Sequence, residues 1–157
     1  MRKAVAISFL ALALGSVGEV QAQSSGAGIG IIVGEPTGLS LKFWQSRKTA
    51  IDLAAAWSFS DNSAFHLHGD LLFHKFDLIH VDKGQLPFYY GIGARVKFAD
   101  DQDKDDVSFG MRIPLGLDYL FGGGTPLDLF FEVVPILELT PDTDFTLNAS
   151  LGLRYWF

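Results

Sequence analysis

The chain contains no cysteine. That excludes disulfides, thiol nucleophiles, cysteine-ligated metal sites and a lipidated N-terminal cysteine. Basic residues are scarce: 12 Lys and Arg stand against 18 Asp and Glu, for a formal charge of −6. A domain of that sign is a poor partner for nucleic acid. Beyond the first two dozen residues no apolar run reaches the length of a membrane helix, and no helical period persists over a useful window. Yet 48% of the residues are hydrophobic. Apolar residues without long runs must be interleaved with others, which is a strand pattern.

The interleaving is strictest at the C-terminus. Phe145, Leu147, Ala149, Leu151, Leu153, Tyr155 and Phe157 alternate with Thr146, Asn148, Ser150, Gly152, Arg154 and Trp156. A strand has a side-chain period of two, so one face is apolar and the other mostly small or polar. Eight such segments, separated by turn residues, fall at roughly 26–33, 37–44, 49–59, 63–76, 86–98, 106–121, 127–139 and 145–157. The connections include Glu35-Pro36, Gln45–Lys48, Asp77–Gln85, the acidic stretch Ala99–Asp105 and Gly122–Pro126. One domain is expected, with no linker. The fold class expected is all-β, an antiparallel up-and-down barrel.

Parity sorts the residues into two faces but does not say which is inside. One set is large, with Ile31, Leu53, Leu67, Ile92, Leu115, Phe131 and Leu153 among its members. The other is rich in Gly, Ala and Ser and carries the charges Lys42, Asp52, Asp70, Arg95, Lys97, Arg112, Asp118, Asp128, Glu132, Glu138 and Arg154. The interior of an eight-stranded barrel is only just wide enough for side chains. The small set therefore faces in and the bulky set faces out, the arrangement of a barrel in lipid. Aromatics gather near both strand ends, as interfacial girdles do. Near balance of inward charge points to a paired plug, since unpaired buried charge is very costly.

The ends agree with this reading. Met1-Arg2-Lys3 is a positive n-region, Ala4–Leu14 an apolar h-region, and Val20-Gln21-Ala22 fits a cleavage site. Residues 1–22 are therefore expected to be a signal peptide and 23–157 the barrel. Losing Arg2, Lys3 and Glu19 would move the formal charge from −6 to −7. The apolar face of the last strand ends on Tyr155 and Phe157, a pattern that resembles the terminal signal read by the barrel-assembly machinery.

With these features together, the chain resembles the small eight-stranded outer-membrane barrels, the OmpA transmembrane-domain and OmpX group. Gly34-Glu35-Pro36-Thr37-Gly38-Leu39-Ser40 and Ser46–Phe59 also resemble a narrower family of bacterial outer-membrane proteins of unknown function. The resemblance implies fold, outer-membrane location and lipid and lipopolysaccharide contacts. It implies no activity or cofactor, and nothing after Phe157 corresponds to the peptidoglycan-binding domain fused to OmpA. A monomer is expected.

Candidate chemistry is thin. His66, His68 and Asp70 share one face of a strand, where they could bind a metal or act as acid, base and orienter beside a serine. Polar packing in the lumen is the better account of them. Asp100–Asp106 has the alternating aspartates of a calcium loop but not its glycine or its final glutamate. Gly28-Ile29-Gly30 precedes no helix, so it is not a nucleotide loop. No catalytic, metal or cofactor residues are expected. A structural or surface-interaction barrel without catalysis is expected; the alternatives are a narrow gated channel and a lipid A-modifying enzyme.

Overall fold

The computed structural model describes residues 26–59, 64–101 and 104–157. The expected leader falls outside them, as do the side chains of the acidic stretch 100–106. The chain forms nine strands: β1 Ala27–Gly34, β2 Thr37–Trp44, β3 Thr49–Ser58, β4 Ala64–Lys75, β5 Phe88–Asp101, β6 Lys104–Arg112, β7 Leu115–Leu120, β8 Leu127–Thr140 and β9 Asp144–Trp156. Each pairs antiparallel with its neighbours, and β1 pairs with β9, which closes a ring of eight.

Nine strands fill eight places because the expected segment 106–121 is broken at Ile113-Pro114 into β6 and β7. Proline has no amide hydrogen, so it interrupts a ladder. The register nevertheless runs straight through. Gly93 faces Arg112 and Tyr90 faces Leu115, while Arg112 faces Ile136 and Leu115 faces Val133. Gly91 N donates to Pro114 O at 3.0 Å, and Ile113 N to Pro135 O at 3.0 Å. A second proline, Pro135, thus lies against the first break.

The bulky set faces out: Ile31, Leu53, Leu67, Ile92, Phe131, Leu151 and Leu153 are all exposed. Outward aromatics form two bands. At the end holding Ala27 and Phe157, called the terminal end, Phe73 packs on Tyr90, Tyr119 on Phe121 and Tyr155 on Phe157, with ring centroids 4.8–5.7 Å apart. At the opposite end Trp57, Phe65 and Phe98 form a row across β3, β4 and β5.

The inward face is not small throughout. Trp44, Tyr89, Phe130 and Trp156 are buried inside it. Register makes room for them: Trp44 faces Ala50, and inward glycines stand directly opposite the other three. Gly28 faces Trp156, Gly116 faces Tyr89 and Gly152 faces Phe130. A Cβ on Gly116 or Gly152 would lie 2.3 Å or 2.1 Å from the facing ring. Large against small across each seam lets the layers interdigitate at interior density.

The connections differ at the two ends. Residues 76–87 form the longest, beside the termini; Gln85 bridges Leu120, and Tyr119 Oη donates to Lys83 O at 2.9 Å. At the opposite end β1 and β2 are joined by only Glu35 and Pro36, and β8 and β9 by residues 141–143.

Candidate functional site: the charged lumen

Strand alternation aims a charged residue inward on nearly every strand, and the ring brings them together. Every charge named from the sequence as lumenal is buried, except Lys97, which is half-buried across from His66 near the end away from the termini. They fall into four layers along the barrel.

At the terminal end, Lys42 on β2 reaches across the lumen to Asp118 on β7, Nζ to Oδ2 2.6 Å. Lys42 Nζ also donates to His74 Nε2 at 2.9 Å. An ammonium has no acceptor, so Nε2 accepts and His74 Nδ1 carries the proton, which it offers to Lys48 O at 3.3 Å. The Trp44 ring lies 4.7 Å from Nζ, and Trp44 packs against Trp156 and Phe76. These rings gather at the mouth beside Lys42.

The second layer is built on Arg154. Its Nε donates to Asp128 Oδ1 at 3.0 Å; Nη1 lies 3.6 Å from Asp52 and Nη2 3.5 Å from Asp118. The guanidinium sits over the Phe130 ring, 3.9 Å from its centroid. Ser40 Oγ donates to Asp52, and Trp156 Nε1 donates to Asp128 at 2.8 Å. One cation thus holds three carboxylates from β3, β7 and β8.

In the third layer Arg112 grips Asp70 with two parallel bonds, Nε to Oδ1 and Nη2 to Oδ2, each 3.0 Å. This is the bidentate fork that makes Arg–carboxylate pairs strong. Arg112 Nη2 lies 3.3 Å from Glu132 Oε1, and Tyr89 Oη donates to Glu132 Oε2 at 2.7 Å. Asp52 and Asp70 face each other in the register of β3 and β4, yet each is held by a different arginine.

The fourth layer lies toward the other end, where Arg95 pairs with Glu138 and its Nη1 donates to His66 Nδ1 at 3.3 Å. Near the rim Ser58 Oγ donates to Glu35 Oε2 at 2.5 Å.

The strand-4 candidates therefore do not form one site. His66 belongs to Arg95 and Asp70 to Arg112, while His68 is buried across from Arg95. Among the described residues no group of three His, Asp or Glu side chains is arranged to hold a metal ion. Glu132 meets Arg112 and not Arg154, because Arg154 is taken by Asp128, Asp118 and Asp52. Sequence reasoning put Trp156 on the inward parity but missed Tyr89, Phe130 and Trp44 as lumenal residues. Their inward parity was legible; the small residue across each seam needed the register. Tyr155 and Phe157 are exposed on the outer face, and Phe157 N donates to Ala27 O at 2.9 Å, fastening the last residue to the first strand.

The fold is similar to the crystal structure of the N-terminal β-barrel domain of Pseudomonas aeruginosa OprF, with a TM-score of 0.64. The likeness covers 83% of this chain and 95% of that one at 14% sequence identity, so it concerns fold alone. No family model matches the chain, and no curated protein matches it. The chain is thus an all-β, eight-stranded antiparallel barrel with the architecture of the small outer-membrane barrels.

Proposed function

We propose that the chain is an integral outer-membrane protein whose barrel is a sealed structural element of the envelope, without catalysis. The observation that carries this is the unbroken series of buried ion pairs, Lys42–Asp118, Arg154–Asp128, Arg112–Asp70 and Arg95–Glu138, running the length of the lumen. A water path would have to part every layer. At the rim Ser58 Oγ donates to Glu35 Oε2, while His66 takes its bond from Arg95. The termini take the periplasmic side, as in bacterial barrels. The barrel is monomeric, surrounded by lipid and lipopolysaccharide, and delivered by the assembly machinery through Tyr155 and Phe157.

In a cell the mature chain is expected to fractionate with outer membranes and to migrate faster unboiled than boiled. Recovery in the soluble periplasm without detergent would sink the reading. Leu115→Arg puts a charge on the lipid face and is expected to cost about 2–4 kcal/mol near the midplane. Glu132→Gln keeps the shape but removes one of the two carboxylates on Arg112, which retains Asp70. The expected loss is about 1–3 kcal/mol in urea unfolding, with a small conductance in planar bilayers where the wild type shows none. A variant identical to wild type in both tests refutes the plug, and a steady wild-type conductance would favour the channel.

A further inference from the structure

The outer wall carries a hollow. It spans the outer faces of β1 to β5, edged by Ile29, Leu39 and Leu41 and floored on β3, β4 and β5, and measures about 560 Å³. Three small outward residues make its floor: Ala55, Gly69 and Ala94. Leu53, Leu67 and Val96 rise around them, and Leu53 leans to within 3.1 Å of where a Cβ on Gly69 would sit. On β8 and β9 the outward Phe131, Leu151 and Leu153 stand exposed instead.

Below it, on the same strands, lies a group of unpaired cations. Arg47 and Lys48 occupy the connection from β2 to β3, and Lys75 ends β4. Lys48 O accepts from His74 N at 2.7 Å, which sets that connection beside Lys75. All three side chains are exposed, and none makes an ion pair with a described residue. Lys75, Phe73, Leu71 and Gly69 share the outward face of β4, so an apolar track joins the cations to the hollow. Six residues at about 3.3 Å each place the hollow about 20 Å from Lys75 along the strand. A tilt of roughly 45° makes that about 14 Å of depth, close to half of a ~30 Å hydrocarbon core. Headgroup-level cations over a mid-core hollow match the span of one phospholipid.

We infer that β3, β4 and β5 form a docking site for a single phospholipid, with its phosphate on Arg47, Lys48 and Lys75 and an acyl chain in the hollow over Ala55, Gly69 and Ala94. The inference rests on the membrane reading above. It assigns the ligand to the leaflet at the terminal end of the barrel. A charged head and an apolar tail are both required, so inorganic phosphate alone does not compete.

Trp57 supplies the reporter, being outward, 47% exposed and two residues from Ala55. The mature chain, folded in non-ionic detergent, is titrated with phosphatidylglycerol brominated in mid-chain. The expected result is saturable quenching of Trp57 at one lipid per chain. Arg47→Gln/Lys48→Gln/Lys75→Gln should weaken it at least tenfold, as should Ala55→Leu/Ala94→Leu. Ala149→Leu, an outward change on β9, should leave it unchanged. Each variant is first checked for the heat-dependent gel shift that reports a closed barrel. Quenching that rises linearly with lipid, or equally in all variants, overturns the inference. So does a sedimenting dimer whose hollow is filled by a second copy. A chain that stays folded and monomeric in buffer without detergent overturns the membrane reading itself, which separates the two failures.

Discussion

A chain carrying Arg154→Leu is expected to lose about 3–5 kcal/mol of stability in urea unfolding, the cost of leaving buried charge uncompensated. Arg154 is fully enclosed, 1% exposed, and its guanidinium touches Asp128, Asp118 and Asp52 while stacking over Phe130. Without it three carboxylates share one layer with Lys42 as the remaining cation, and Lys42 already serves Asp118. The repair is specific. Asp128→Asn removes the charge most directly bonded to Arg154, so the double variant should regain at least a third of the loss. Asp128→Asn alone should destabilise the wild type, because it breaks the Nε bond and weakens that of Trp156. A single variant that unfolds with the wild type would show that the layer contributes nothing to holding the barrel.

Gly152→Val should be nearly as damaging for the opposite reason. A Cβ at Gly152 would lie 2.1 Å from the Phe130 ring and 2.9 Å from Ile31 O. Phe130 has no slack, since Arg154 covers its face. Overpacking of this kind costs about 1–3 kcal/mol and sometimes more. Phe130→Ala carved alone leaves a cavity, with a loss of about 3–5 kcal/mol. Together the two changes should cost less than their sum by at least about 1 kcal/mol, because each relieves the other. Strict additivity would mean that valine and the ring do not contend for the same space.

Much of the architecture was legible from parity. The alternation from Phe145 to Phe157, repeated in seven earlier segments, specified strand number and face. The volume of an eight-stranded interior then turned the bulky set outward. What parity cannot give is register, because a strand's faces are unchanged by a slide of two residues. The glycine set therefore read only as small inward residues, whereas Gly28, Gly116 and Gly152 are the recesses for Trp156, Tyr89 and Phe130. For the same reason the acidic and basic inward residues could be named but not matched. Lys42 lies beside Asp52 in the register of β2 and β3, yet bonds Asp118 across the lumen. Pro114 was visible in the sequence, but the alternation passed through it intact, so the broken strand read as continuous.

The two prolines have a mechanical consequence. Gly91 and Pro114, like Ile113 and Pro135, are partners that would normally exchange two ladder bonds. Each proline returns none, so the carbonyls of Gly91 and Ile113 receive no ladder bond from them. Two adjoining seams are thus single-stitched at the same height, in a setting where an unmet carbonyl is expensive. Arg112 sits one residue before this place and ties Asp70 on β4 to Glu132 on β8, spanning both seams from inside. The ion pair that crosses the bore is also a cross-brace, and a wall that yields under load should part first along β5, β7 and β8.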